Sequence, residues 1–443
     1  MDPVFLARFQ FALTIGFHYI FPVVTIGLAW VIVAIKTLHL ITEDPIYKIM
    51  ARFWTRIFSV SFVVGVATGI VMEFQFGMNW AGYSKFVGDI FGAPLAAEGI
   101  FAFFLESTFL GLLVFGEKKF SPRMHWFSAL MVALGATLSA FWIIVANSWQ
   151  QTPAGYIVVN GRAELVDFWA AVFNPSTIPR YLHTVSGAII TGAFFVLGLS
   201  AWYLLNKKHV EFARRSLKIG LIVGFAGALS QLPLGHYHAI QVANTQPAKL
   251  AAFEGVFETT KKARLLVFGI PNANQKRTDL AIGIPAGLSI LVGLSPDTEI
   301  KGLKDFERSY WPPLLTTFFS FHLMVALGMY FIALTGFGLW LLWKKRLEDN
   351  RLFLKLALLS IPLPFVANEL GWVAAEVGRQ PWIVYGELLT KDAISTTVPA
   401  GQVLFSIIMF SLIYSLLFGV WVFLLRKKMR QGPESVGEQV EGA

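Results

Sequence analysis

The sequence predicts an all-α membrane protein, and three observations carry that prediction. Of the 443 residues, 56% are hydrophobic and only 14% are charged. A soluble domain carries about 25% charged residues. The apolar residues fall in nine long runs, each close to the roughly 20 residues that a bilayer-spanning helix needs. Charged segments separate these runs, which indicates a polytopic chain rather than a single anchored domain.

The nine predicted transmembrane helices follow one another in chain order. They cover about 10–35, 53–76, 92–115, 125–147, 182–205, 217–240, 314–343, 353–376 and 398–425. We predict four regions: helices one to six in 1–240, a loop in 241–313, helices seven to nine in 314–425, and a disordered tail in 426–443. Within the loop, the stretches "PAKLAAFEGVFETTKKARL" and "TEIKGLKDFER" favour short helices.

The basic residues predict the orientation. When the residues at span ends are counted with the adjacent loops, 21 Lys and Arg belong to the loops after spans one, three, five and seven and to the tail. The opposite side holds six, and the remaining nine lie in the long loop, whose length gives it little weight. The N-terminus is therefore predicted outside and the C-terminus in the cytoplasm. The net charge of +9 is explained by this bias, and nucleic acid is not needed as a partner.

The absence of cysteine restricts the redox chemistry. With no cysteine in the chain, disulfides, Cys-ligated iron–sulfur clusters and covalent c-type haem attachment are excluded. Imidazole, thioether and carboxylate groups remain as the available metal ligands.

Ionisable or thioether side chains occur at a common depth in five predicted helices. They are His18, Glu98, His183, Met324 and Glu376, all in the half of the span nearer the outside. Each has an ordinary explanation alone: a buried hydrogen-bonded histidine, a relay carboxylate, a helix cap, a packing methionine, or an i,i+3 ion pair of Glu376 with Arg379. Their common depth favours a cofactor site, because ionisable groups inside the membrane are usually functional. Neutral imidazole and thioether suit haem iron; zinc fits less well, since the groups lie on separate helices.

Several sequence motifs resemble those of one known protein family. "GWVAAEVGRQPW" at 371–382, "GFHYIFP" around His18, "EGIFAFFLEST" around Glu98, "HTVSGA" at His183 and "AKLAAFEG" in the loop resemble subunit I of the cytochrome bd-type quinol oxidases. The similarity extends over all nine spans in order. The loop is similar to that of the family's short type.

The resemblance implies a terminal respiratory oxidase in a bacterial or archaeal cytoplasmic membrane. Such an enzyme oxidises quinol on the outer side and reduces dioxygen to water, building a proton gradient without pumping. The family implies a low-spin haem b and two high-spin haems, either b and d or a second b in place of d. It also implies a second membrane subunit and a small single-span subunit. Two alternatives stay open: a haem-containing quinone oxidoreductase that does not use oxygen, and a proton-coupled transporter, which would favour an internal repeat.

The resemblance also implies residue roles. His183 and Met324 resemble the ligands of the low-spin haem, and His18, Glu376 and Glu98 belong to the high-spin pair. The remaining roles are haem contact for Arg379, Trp372 and Trp382, quinol contact for Lys249 and Glu254, and a proton path through Glu106, Ser107 and Ser139. The chain departs from some members at His322, where they carry arginine. A histidine there would weaken propionate contact, shift the haem's potential or compete as a ligand.

Overall fold

The computed structural model describes residues 2–116 and 119–434. Within these ranges, eight helices are long and apolar enough to cross a membrane, and the number is nine if a bent helix pair counts as one span. This confirms the predicted all-α membrane fold and eight of the nine predicted spans, and the bent pair occupies the position of the other. The predicted tail falls partly outside the described residues, at 435–443, whereas its first part continues the last helix to Gln431.

The spans alternate in direction through the bundle. They are α1 Pro3–Thr42, α2 Pro45–Met78, α3 Ala81–Ala97 with α4 Phe104–Phe115, α5 Pro122–Gln151, α7 Thr177–Leu205, α8 Val210–Thr245, α11 Leu314–Trp343, α12 Arg351–Leu359 with α13 Leu363–Val377, and α14 Ala400–Gln431. Short helices α6 Phe168–Val172, α9 Pro247–Glu254 and α10 Gly287–Gly293 lie in the connections. We call the side of the bundle that carries 246–313 the loop side.

Three antiparallel hairpins occur among the described residues, in connections on the loop side. They are β1 Tyr156–Val159 with β2 Arg162–Leu165, β3 Leu265–Asn272 with β4 Arg277–Ile284, and β5 Trp382–Val384 with β6 Leu388–Leu389. The helical expectation for the long loop was correct for Pro247–Glu254 but wrong for 258–264, which is mostly irregular before it enters β3. In the second stretch only Leu303–Asp305 forms a helical turn.

Local sequence signals explain where several spans begin. The side chains of Asp2, Asp44 and Ser121 each accept a hydrogen bond from a first-turn backbone N–H. A proline follows each of them at the first helical position, where its missing N–H costs no hydrogen bond.

Two spans are irregular for reasons that the sequence contains. The eighth span, predicted as one run, breaks between α12 and α13 with a bend of 40°. Pro362 lies in the break, and proline removes a helical hydrogen bond and crowds the preceding turn. Between α3 and α4 the chain forms a π-helical turn, Glu98–Phe103, shortly after Pro94. Such turns occur often at functional sites, and this one begins at a predicted site residue.

The central contact of the bundle joins α1 to α7. Gly27 and Gly192 face each other there, and a Cβ at Gly27 would overlap the backbone carbonyl of Ala188. This close approach fixes the helix that carries His18 against the helix that carries His183.

Candidate functional site

A single cavity of about 1500 Å³ lies inside the bundle and reaches the loop. Pockets for one small molecule measure roughly 300–1,000 Å³, so this space is large enough for more than one bulky ligand. Eleven of the thirteen predicted site residues line it: His18, Glu98, Glu106, Ser139, His183, Lys249, Glu254, Met324, Trp372, Glu376 and Arg379. The structure therefore brings together groups that the sequence places on many different helices.

The remaining two predicted residues do not line this cavity. The hydroxyl oxygen of Ser107 is buried and has no hydrogen-bond partner among the described residues. Trp382 instead stacks on Tyr310 of the long loop, with ring centroids 5.2 Å apart. Trp382 is therefore not part of the cavity wall, and its contact with haem stays a prediction.

His18 is held in a defined orientation by α2. Its Nδ1 lies 2.9 Å from the Thr68 hydroxyl oxygen. That hydroxyl already donates to the carbonyls of Val64 and Gly65, so Nδ1 is the donor to it. The lone pair of a neutral His18 is then on Nε2, the arrangement that an axial metal ligand requires. A Cβ at Gly69 would lie 3.2 Å from the imidazole Cε1, so this glycine leaves room for the ring.

His183 and Met324 bring an imidazole and a thioether to the same cavity. His183 Nδ1 is buried without a hydrogen-bond partner in the described part of the chain. Buried nitrogens are normally paired, so an orphaned one is consistent with a missing ligand contact. Across the cavity wall, Gly371 accommodates the Met324 sulfur, since a Cβ there would lie 2.9 Å from it.

Glu376 ends α13 in a buried network of opposite charge. One carboxylate oxygen accepts hydrogen bonds from Asn147 at 3.1 Å and Gln151 at 3.2 Å and lies 3.7 Å from the Arg180 guanidinium. The other oxygen pairs with Arg379. Two arginines therefore offset the cost of burying this carboxylate. Arg379 Nε is buried without a partner among the described residues, which leaves a donor for an acidic ligand group.

The predicted proton-path residues gather where α3, α4 and α5 meet. The Ser139 hydroxyl donates to Glu98 at 2.6 Å. Glu106 is buried one helical stretch further along the same span, against α5. Its Cβ lies 3.0 Å from where a Cβ at Gly135 would be, so that glycine allows the two helices to meet at the carboxylate.

The loop helix α9 closes the cavity with two buried ionisable groups. Lys249 is 4% exposed, and its ammonium donates to Gln151 and, at 2.6 Å, to Gln246. Burial lowers the pKa of Lys249 well below its usual range. Glu254 is 2% exposed, and burial raises its pKa to about 8. Burial therefore disfavours the charged form of both groups, and perturbed ionisable groups in a cavity are candidates for proton transfer.

His322 lies beside Met324 with both ring nitrogens engaged. Nδ1 is 3.0 Å from the Phe318 carbonyl and Nε2 is 3.1 Å from the Leu266 carbonyl. A neutral imidazole carries one N–H, so only one of these nitrogens donates to its carbonyl. His322 also lines the cavity, and its effect on the haem site stays a prediction.

Three residues in or near the cavity were not predicted from the sequence. Arg180 lines the cavity and contacts the Asn147 carbonyl at 3.1 Å, yet it falls in the loop predicted before span five. Its position three residues before His183 was the available signal. Glu73 lines the cavity, and a buried Glu369 oxygen lacks a partner among the described residues. Both carboxylates lie inside predicted spans. The rule that ionisable groups within the membrane are usually functional therefore applied to them as it did to Glu98.

The ligand geometry fits haem better than a bare ion. Within 2–116 and 119–434, no three His, Asp or Glu side chains cluster closely enough to hold a metal ion. Donors on separate helices instead surround one large space, together with a partnerless imidazole nitrogen and a partnerless arginine N–H. A planar macrocycle needs only axial ligands and partners for its carboxylates. Fold and site together define a membrane-embedded protein built to hold large redox cofactors.

The comparisons with known proteins name the family. The family described as cytochrome bd terminal oxidase subunit I matches residues 6–433. The chain is 41% identical to cytochrome bd ubiquinol oxidase subunit 1 of Bacillus subtilis, covering 98% of this chain and 95% of that protein. It is 36% identical to cytochrome bd-II ubiquinol oxidase subunit 1 of Escherichia coli, with 98% of each covered. The solved bd oxidase of Geobacillus thermodenitrificans superposes with a TM-score of 0.91 at 30% identity, covering 98% of this chain and 99% of that one.

The chain belongs to the family of cytochrome bd terminal oxidase subunit I. It is a multi-pass bacterial membrane protein and part of a quinol oxidase. The family implies haem cofactors, a second subunit, and quinol and dioxygen as substrates. Neither alternative, the oxygen-independent quinone oxidoreductase or the transporter, is supported.

Proposed function

We propose that this chain binds three haems in its cavity, oxidises quinol under the long loop and reduces dioxygen to water. The observation that carries the proposal is the single space of about 1500 Å³ on which eleven predicted residues converge. A second membrane subunit completes the enzyme, and a small single-span subunit joins it. The N-terminus faces the outside, so the loop side is the outer side of the membrane.

His183 and Met324 hold a low-spin haem b in this proposal. The partnerless His183 Nδ1 and the space that Gly371 leaves for the Met324 sulfur support it. His18 and Glu376 would hold two high-spin haems, b and d or b and b, with Glu98 beside them. The unprotonated Nε2 of His18 supports its part, and Arg379 contributes its spare N–H to propionates. The bound haems supply one-electron transfer and oxygen binding.

Lys249 and Glu254 bind and deprotonate quinol. Both side chains are buried on the cavity wall, and the pKa of each is shifted by burial so that proton acceptance at neutral pH is feasible. Gln151 and Gln246 orient the Lys249 amine through their side-chain oxygens. Protons taken by Glu254 leave on the loop side.

Glu106, Ser107, Ser139 and Glu98 deliver protons from the opposite side of the membrane. The hydrogen bond from Ser139 to Glu98 supports the last step of this path. The burial of Glu106 on the same span supports an earlier one. Proton release on the loop side and uptake from the other side separate charge without a pump.

One experiment on the purified complex tests the function as a whole. Pyridine haemochrome analysis and reduced-minus-oxidised spectra measure haem type and number, and an oxygen electrode measures quinol-driven oxygen uptake. Three haems per complex and oxygen uptake on adding quinol are expected. A colourless complex, or haem bands without oxygen uptake, would contradict the proposal.

A further inference from the structure

The long loop carries a β-hairpin whose side chains do not suit water. Six large apolar residues of the hairpin are between 38% and 69% exposed, and we call them the hairpin patch: Val267, Phe268, Ile270, Leu280, Ile282 and Ile284. Single exposed apolar residues are normal, but a cluster of this kind marks an interaction surface. Val267 and Ile284 also reach the cavity wall, whereas the other four residues lie outside it and have no role in the proposed haem, quinol or proton chemistry.

Charge along the hairpin is confined to its tip. From 265 to 294 the charged residues are Lys276, Arg277 and Asp279. Arg277 and Asp279 form an ion pair at 2.7 Å. The strands between the tip and the rest of the loop are therefore uncharged. Three basic residues, Lys261, Lys262 and Arg264, precede the first strand.

The depth of the hairpin relative to α11 indicates what covers the patch. The Leu266 carbonyl lies 3.1 Å from Nε2 of His322. His322 is eight residues into α11, about 12 Å below its first residue at 1.5 Å per residue. Gly269 lies against Phe318, four residues into the same helix. The hairpin therefore packs along the first two turns of a membrane span and not above its end.

The membrane helices near the hairpin also expose apolar side chains. Val267 and Ile284 reach the cavity wall, which includes the exposed Leu232 of α8 and Val325 of α11. On α11 itself, Leu315 and Leu323 are half exposed at the same level. Uncharged strands at this depth, with basic residues before them, match an interfacial element whose apolar side chains enter lipid while its cations meet phosphates.

We propose that the hairpin patch is immersed in the lipid of the membrane interface on the loop side. The hairpin is then a monotopic element that lies in the interface, while its tip at Lys276 stays in water. The apolar side chains that would otherwise promote aggregation in water are covered by lipid.

The cysteine-free chain allows a direct test by site-directed spin labelling. Ile282→Cys and Leu280→Cys carry the label in the patch, Lys276→Cys carries it at the tip, and Ile222→Cys in α8 provides a lipid-exposed reference. The labelled complexes are placed with their partner subunit in phospholipid nanodiscs. The unsubstituted complex, labelled in parallel, measures any signal from partner thiols.

Accessibility to oxygen, which concentrates in lipid, is compared with accessibility to a water-soluble nickel chelate. At positions 282 and 280 the oxygen-to-nickel ratio should be several-fold higher than at position 276 and close to that at position 222. A ratio at 282 and 280 equal to that at 276 would place the patch in water and overturn the proposal. Low accessibility to both reagents would show a protein partner on the patch and would also overturn it. Retained haem content in each variant confirms that the complex is intact.

Discussion

At the residue scale, the buried charged and polar groups of the cavity offset one another's desolvation penalty. Glu376 is tolerated at the end of α13 because Arg180, Arg379, Asn147 and Gln151 all contact it. Removing one partner of such a network leaves an uncompensated charge, which costs about 3–5 kcal/mol. A test of whether Glu376 binds haem iron therefore needs a measurement that does not change when a substitution only lowers the stability of the fold.

Glu376→Gln provides that separation. The amide keeps the size of the side chain but is a far poorer iron ligand. If Glu376 binds iron, we expect the folded complex to lose one high-spin haem while the haem of His183 and Met324 remains. The measurement is haem per folded complex, from pyridine haemochrome analysis of the monodisperse fraction. A lower melting temperature with all three haems retained would assign Glu376 a structural role only.

Met324→Leu tests the low-spin site. The substitution keeps the volume nearly constant, so packing should change by less than about 1.5 kcal/mol. The thioether is lost, and we expect the low-spin haem b band to weaken or shift while the high-spin bands persist. Met409→Leu, at an exposed methionine of α14 that does not line the cavity, is the matched control. An unchanged spectrum in Met324→Leu would exclude the sulfur as a ligand.

Glu254 gives the enzyme a defined pH dependence. Burial raises its pKa to about 8, so about one tenth of the carboxyl is ionised at pH 7. A proton acceptor works in its ionised form, so quinol oxidation should rise with pH and level off above about pH 8. Glu254→Gln should abolish this rise and lower the rate about 10²–10⁴-fold, with all haem bands present. A pH profile of the variant that parallels wild type would remove Glu254 from the proton transfer.

The sequence identified the ligand-type residues because charge and sulfur at a common depth are unusual. His18, Glu98, His183 and Met324 all line the predicted common space. Arg180 was missed because a helix start and a loop end look alike in an apolar sequence. Its role depends on α5 bringing Asn147 to it, and that contact between distant segments has no local sequence signal.

At the scale of elements, the positions of the membrane helices were predictable from the sequence, but their bends and π-helical turns were not. Eight of the nine apolar runs form single helices long and apolar enough to cross a membrane, because length and hydropathy identify such helices, and the other forms the bent pair. The break at Pro362 and the π-helical turn at Glu98 depend on how neighbouring helices re-satisfy backbone groups near proline. The hairpin of β3 and β4 was missed because alternating apolar residues around "NANQKRT" were interpreted as irregular loop.

The close contact of α1 with α7 positions the two helices that carry His18 and His183, and the proposed haem pocket depends on it. Gly27→Ala would drive a methyl group into the Ala188 carbonyl, and overpacking of this kind costs about 1–3 kcal/mol. We expect a lower melting temperature and weaker haem retention. Gly419→Ala in α14, where a Cβ meets nothing within 4 Å, is the matched control and should be neutral or slightly stabilising. Equal melting temperatures for the two variants would refute the close-contact argument.

At the scale of the whole molecule, the proposed sites lie at different ends of the cavity. Lys249 and Glu254 lie at the loop end, whereas Glu106 lies further along its span toward the opposite side. Under the proposed function, protons from quinol and protons for oxygen reduction would therefore use different ends of one space. The sign of the resulting gradient depends only on which side of the membrane the loop occupies.

Basic residues predict that side, because 21 Lys and Arg accompany the side opposite the loop and six accompany the loop side, with the long loop left out. The absence of cysteine makes the prediction testable with single substitutions in intact cells. Gln275→Cys in the exposed hairpin tip should react with a membrane-impermeant maleimide without lysis. Gln431→Cys at the end of α14 should react only after permeabilisation. The opposite pattern would reverse the orientation, and with it the direction in which quinol oxidation moves protons across the membrane.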